Sequence, residues 1–253
     1  MALTRGHGWW PYLLPLGSFL ILGEIAGKFP EAWRAGFLPF KVAVPAGLFL
    51  CYWRAGHYPE LRTGYLRRPG QVALDFGVGL AGAALWMAPF ILALRFDPPL
   101  WIVMPEFMRP DPADGFDPAQ LGAGLAGLTL TIRCLGYGVV TPFVEELFIR
   151  SWLTRYTVVF DGTGDFRDIP IGHYTRSSLV IVTVFFTVSH VPWEWPVAVP
   201  WIVLSQLWYY HRKSLPALVT VHAGSNLGIF AFVLATTGRI PGPNGPLDLW
   251  FFI

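Results

Sequence analysis

Seven apolar runs divide this chain, and they decide most of what it can become. They cover residues 9–26, 37–53, 71–94, 118 to beyond 150, 178–191, 197–210 and 215–236. A helix of about 20 apolar residues spans the ~30 Å hydrocarbon layer of a bilayer. Only 13% of the 253 residues are charged and 54% are apolar, whereas soluble domains carry about 25% charged residues. So much apolar surface requires lipid as its solvent. The expected fold class is all-α, a polytopic membrane helix bundle with about seven (six to eight) transmembrane helices. The fourth run is too long for one simple span. The fifth and sixth are short and bounded by Pro192, Pro196 and Pro200, which predicts a broken or re-entrant segment, tolerated only where protein or water satisfies the freed backbone. No repeat and no shift in composition marks a boundary, so residues 1–253 read as a single membrane domain.

Short loops rich in Lys and Arg stay cytoplasmic. With the N-terminus inside, Arg54, Arg62, Arg67, Arg68, Arg155, Arg167, Arg176, Arg212 and Lys213 fall on the cytoplasmic face. The opposite face takes the 95–117 loop, with Asp97, Glu106, Asp111, Asp114 and Asp117, and the tail 238–253. The opening Met1-Ala-Leu-Thr-Arg5 is followed by no convincing cleavage site, so 9–26 reads as a retained helix. Cys51 and Cys134 lie inside spans and form no pattern with histidine, which points away from a disulfide framework or a thiolate metal site. The 12 Trp are expected at the two interfaces as an aromatic belt. The net charge of +2 carries no signal for nucleic acid, and none is expected; the lipid bilayer is the expected partner.

Against this background four charges stand out in the fourth run: Arg133, Glu145, Glu146 and Arg150. A charge at the centre of a membrane helix costs about 2.5–3.5 kcal/mol, and an i,i+4 ion pair returns only about 0.2–0.5 kcal/mol in water. These groups must therefore face a hydrated cavity, an interface or other polar side chains. Residues four apart share a helix face and neighbours diverge by about 100°, so Glu146 aligns with Arg150 while Glu145 turns elsewhere. Pro142 removes a backbone donor and, in an α-helix, frees the Gly138 carbonyl, which predicts a kink beside Glu145. Phe186 and His190 share a face of the fifth run, which Pro192 ends. His222 and Asn226 sit one turn apart in the seventh, where Ala223, Gly224 and Ser225 permit close packing. Glu145, His190, His222 and Asn226 are expected to converge on one cavity. Glu24, Lys41, Asp75 and Arg133 are expected to pair among themselves or to snorkel to the interface. Trp193-Glu194-Trp195 reads as an interfacial anchor or part of a substrate gate.

The motif Glu145-Glu146-Leu-Phe-Ile-Arg150 resembles the EExxxR signature of the CAAX protease and bacteriocin-processing family of intramembrane endopeptidases. Phe186-Thr-Val-Ser-His190 resembles its FxxxH and His222-Ala-Gly-Ser-Asn226 its HxxxN, in the same order, over a core of residues 120–236. The resemblance implies that Glu145, His190, His222 and Asn226 are catalytic, with Glu146 and Arg150 supporting them. It implies hydrolysis of a peptide bond near the C-terminus of a membrane-associated peptide or protein, prenylated or bearing a sorting signal. Hydrolysis needs an activated water, an oxyanion site and a proton for the leaving amine. Glu145 with His190 is expected to supply the first, His222 and Asn226 the second, and either histidine the third. No cofactor is expected. The rival is zinc held by Glu145, His190 and His222, against which stand the absence of an H-E-x-x-H helix and the poor ligand quality of Asn. A transporter would show interrupted segments in both halves, and only the C-terminal half is interrupted here. The alternative to an enzyme is a catalytically silent membrane scaffold or bacteriocin-immunity protein. The expected location is a bacterial inner membrane, N-terminus cytoplasmic.

Overall fold

Each apolar run folds as helix in the computed structural model, which describes residues 7–29, 31–111 and 115–253; Asp114 and the opening residues 1–5 lie outside the described residues. The helices are α1 (Trp10–Gly27), α2 (Glu31–Arg54), α3 (Pro69–Ala93), α4 (Ala123–Tyr156), α5 (Arg176–Val188), α6 (Trp195–Arg212) and α7 (Leu215–Thr236). A short hairpin, β1 (Pro241–Gly242) with β2 (Gly245–Pro246), lies in the tail.

Five of these helices, rather than the expected seven, are long and apolar enough to cross a bilayer among the described residues: α1 to α4 and α7. At 13 residues, α5 reaches only ~20 Å. The 18-residue α6 carries Ser205, Gln206 and Tyr209 buried on its inner face, so its polar side is satisfied by protein and not by lipid. The fifth and sixth runs thus form a pair joined by the 3-10 turn Pro192–Glu194, where the prolines foretold a break.

Close approach of α3 and α7 builds the centre of the bundle. A Cβ on Gly79 would lie 2.2 Å from the Val221 carbonyl, and one on Gly224 would lie 2.8 Å from that of Phe76, so only hydrogen fits at either position. Ser225 donates across this seam to the Gly79 carbonyl at 2.9 Å. The core around it joins Trp86, Phe90, Val144, Phe186, Ile202 and Val233.

Two buried ionic clusters pin the opposite end. Asp75 of α3, fully buried, accepts from Arg212 at 2.8 Å, Trp208 at 2.9 Å and Tyr65 at 3.0 Å. Glu60, in the loop after α2, accepts from Tyr12 at 3.1 Å and pairs with Arg155 at 3.5 Å, with Ser151 also bonded to it. The expected pairing among Glu24, Lys41, Asp75 and Arg133 does not occur. Asp75 is taken by Arg212, Glu24 is exposed, and Lys41 lies over the Phe19 ring at 4.5 Å. Arg133 instead donates to the Ile253 carbonyl at 3.1 Å. That bond holds down a tail that folds back onto the bundle and buries Leu247, Leu249 and Phe252.

Candidate active site

Glu145, His190, His222 and Asn226 line a single cavity of about 250 Å³, together with Trp86, Tyr137, Thr141, Glu194, Trp201 and the tail residues 251–253. Three elements meet there: α4 brings Glu145, the end of α5 brings His190, and one face of α7 brings both His222 and Asn226.

The paired glutamates divide as their spacing predicts. Glu146 turns back into the protein, where its carboxylate lies 3.5 Å from the fully buried Arg150 guanidinium, which also donates to Ser205 at 2.8 Å. Glu145 faces the cavity, with 18% of its side chain exposed against 1% for Glu146. His222 connects the two. Its Nδ1 donates to Glu146 Oε1 at 3.0 Å, and its Nε2 points at Glu145 Oε2 from 3.8 Å. A carboxylate only accepts, so this bond fixes the proton on Nδ1 and leaves Nε2 for the cavity.

His190 is set by the same logic. Its Nδ1 donates to the Phe186 carbonyl at 2.8 Å, which leaves Nε2 bare as an acceptor. The ring lies 4.2 Å from Phe186, which in turn stacks on Trp201 at 5.1 Å. Trp86 closes the other side at 5.5 Å, and the Trp195 indole donates to the His190 carbonyl at 3.0 Å. The aromatic of the FxxxH spacing therefore orients the imidazole through both its carbonyl and its ring.

Asn226 differs from expectation. Its side-chain N–H donates at 2.7 Å to the carbonyl of Tyr137, leaving one N–H for the cavity. The cause lies in α4, which widens into π turns over Gly136–Val140 and Leu147–Leu153. Thr141 N–H reaches Gly136 O, five residues back. In that geometry the missing donor of Pro142 orphans Tyr137 O, not the Gly138 O expected of an α-helix. The α7 carboxamide replaces the missing N–H.

Glu194 is a cavity carboxylate to which sequence assigned no chemistry. It sits in the turn between α5 and α6. Burial pushes its carboxyl up from the ordinary 4.5 to about 7, with the Trp86 indole and a backbone N–H drawing it partly back. Trp193 packs edge-on to Phe90 at 5.1 Å and faces Phe251 at 5.7 Å, so this stretch contributes to the cavity wall.

Among the described residues no three His, Cys, Asp or Glu side chains are grouped as a metal ion requires. Both Nδ1 atoms are engaged and each Nε2 is left toward the cavity, which is also the arrangement of an imidazole that binds a metal through Nε2.

A polar hollow enclosed by bilayer-length apolar helices defines an integral membrane protein, and its carboxylate–imidazole lining is that of a hydrolase. Residues 127–228, which carry all three motifs, match the family described as Rce1-like, Type II CAAX prenyl endopeptidase, and this match supports a place in the CAAX protease family of intramembrane endopeptidases. No curated protein and no solved structure matches the chain.

Proposed function

We propose that the chain hydrolyses a peptide bond near the C-terminus of a prenylated, membrane-associated substrate, with water activated by Glu145. The observation that carries this reading is the division of the two glutamates. Glu146 is committed to Arg150 and His222, while Glu145 alone of the pair lines the cavity with His190. Glu145 takes one proton from a water whose other hydrogen is held by His190 Nε2, and the hydroxide attacks the scissile carbonyl. The free N–H of Asn226 and, in the doubly protonated ring, Nε2–H of His222 meet the oxyanion. When the tetrahedral intermediate collapses the C–N bond breaks, and the proton held by Glu145 passes to the leaving amine.

Within this proposal, residues 120–236 form the catalytic core of a single membrane domain, 1–253. The protein sits in a bacterial inner membrane with its N-terminus cytoplasmic, and no metal takes part. The test uses purified protein and a peptide carrying farnesyl-cysteine, two aliphatic residues and methionine. Cleavage should survive chelator treatment, and Glu145→Gln should abolish it while the protein remains folded. Cleavage that vanishes with chelation and returns with zinc would overturn the metal-free mechanism. Equal processing by Glu145→Gln would establish the scaffold reading instead.

A further inference from the structure

Among the described residues that line the catalytic cavity, only Thr141 carries a buried side-chain oxygen or nitrogen without a hydrogen-bond partner. A threonine inside a helix commonly bonds the carbonyl one turn back. Thr131, Thr220 and Thr236 do so, reaching Gly127, Pro216 and Phe232 at 2.8, 2.9 and 2.7 Å. For Thr141 that carbonyl belongs to Tyr137, and it accepts from Asn226 instead. Thr183 and Thr187 of α5 are unpaired as well, but neither lines the cavity. An enclosed hydroxyl without an acceptor is unfavourable, and a ligand that offers an oxygen relieves it. The hydroxyl of Ser225, the other aliphatic alcohol in the cavity wall, has no such need. It donates to the Gly79 carbonyl at 2.9 Å and accepts from the Trp201 indole at 3.2 Å.

The position of Thr141 says which oxygen this is. Helix α4 keeps α geometry over Thr141–Glu146, so Thr141 and Glu145 share a face one turn, ~6 Å, apart. Helical side chains lean toward the N-terminus, which sets Thr141 over Tyr137 and beside the Asn226 carboxamide held there. The acid that activates water thus stands one turn from two neutral donors, the Thr141 hydroxyl and the second N–H of Asn226. That interval accommodates a water on Glu145, the carbon it attacks, and the oxygen of that carbon against the donors.

We infer that the Thr141 hydroxyl is a third oxyanion donor, which meets the carbonyl oxygen of the scissile peptide together with Asn226 and His222. Thr141 keeps its proton throughout. The hydrogen bond it gives strengthens as negative charge develops on that oxygen, which is how such a donor accelerates the reaction. The assignment rests on the endopeptidase reading above and adds to it a catalytic residue outside the three motifs.

The test replaces Thr141 by Val, which keeps the shape and removes the hydroxyl, and by Ser, which keeps the hydroxyl. With the other two donors in place, Thr141→Val should lose about tenfold or more in kcat on the farnesyl-cysteine peptide while KM stays within about twofold. Thr141→Ser should recover most of the rate. The Tm of Thr141→Val should not fall, because the hydroxyl has no partner within the protein. An unchanged kcat in Thr141→Val, or an equal loss in Thr141→Ser, would overturn the assignment and leave the endopeptidase reading in place. So would a Tm that drops in Thr141→Val and is restored in Thr141→Ser, since the hydroxyl would then be structural. A binding measurement separates the reverse case. A phosphinate isostere of the same peptide, whose tetrahedral phosphorus carries the anionic oxygen, should bind wild type and Thr141→Ser alike, and Thr141→Val about tenfold or more weakly. Equal binding to Thr141→Val would also overturn the assignment. Binding that depends on the hydroxyl without any cleavage would keep the oxyanion site and remove the endopeptidase reading. Absence of both cleavage and binding would remove the two together.

Discussion

Asn226 on α7 donates to the carbonyl of Tyr137 on α4 at 2.7 Å, and that carbonyl is the one Pro142 leaves without a helical partner. The bond ties the helix bearing His222 to the helix bearing Glu145 at the level of the cavity. Asn226→Ala should therefore cost about 1–3 kcal/mol of stability, the penalty for a buried polar group left unsatisfied, as well as activity. Combined with Pro142→Ala, whose new N–H can reach Tyr137 O in the wide turn, the loss should shrink. A double-mutant cycle of thermal unfolding in detergent reads this coupling, and strict additivity would refute the connection.

Glu145 and Glu146 should separate in mutants as they do in space. Removing Glu146 leaves the fully buried Arg150 without its counter-charge, a change that costs about 3–5 kcal/mol; Glu146→Ala should unfold at much lower temperature or fail to accumulate. Glu145→Gln keeps the shape of a residue that faces the cavity, so its Tm should stay within a few degrees of wild type while cleavage is lost. Circular dichroism melts alongside the peptide assay decide between the two patterns.

A third expectation concerns pH. Burial holds the Glu194 carboxyl up at about 7, so it is neutral below that pH and anionic above. It shares the cavity with Glu145 of α4, His190 at the end of α5 and His222 of α7. A second negative charge there opposes the developing oxyanion. Cleavage of the farnesyl-cysteine peptide should fall above about pH 7 in wild type. Glu194→Gln should flatten that limb; an identical profile in the variant would remove Glu194 from the account.

Sequence alone located the seven helical segments, the divergence of Glu145 and Glu146 and the meeting of Glu145, His190, His222 and Asn226 at one cavity, because hydropathy and the 3.6-residue period report local direction well. It missed what depends on partners far along the chain. Glu60 and Ser151 lie 91 residues apart, and Asp75 and Arg212 lie 137 apart, with no periodic signal joining them. Charge counting assigned Arg155 and Arg212 to the cytoplasmic face and gave no sign of the ion pair that holds each. The orphaned carbonyl was misplaced by one residue because a π turn cannot be distinguished from an α turn by composition. Sequence assigned the tail 238–253 no role beyond its place on the non-cytoplasmic face, yet Phe251 and Phe252 line the cavity.

The wide turn over Gly136–Val140 carries one residue more than an α turn through the same rotation. Excising a single valine from it would restore α geometry and preserve hydropathy and all three motifs. Tyr137 would then stand four residues before Pro142, so the same carbonyl would stay orphaned and Glu145 would keep its direction.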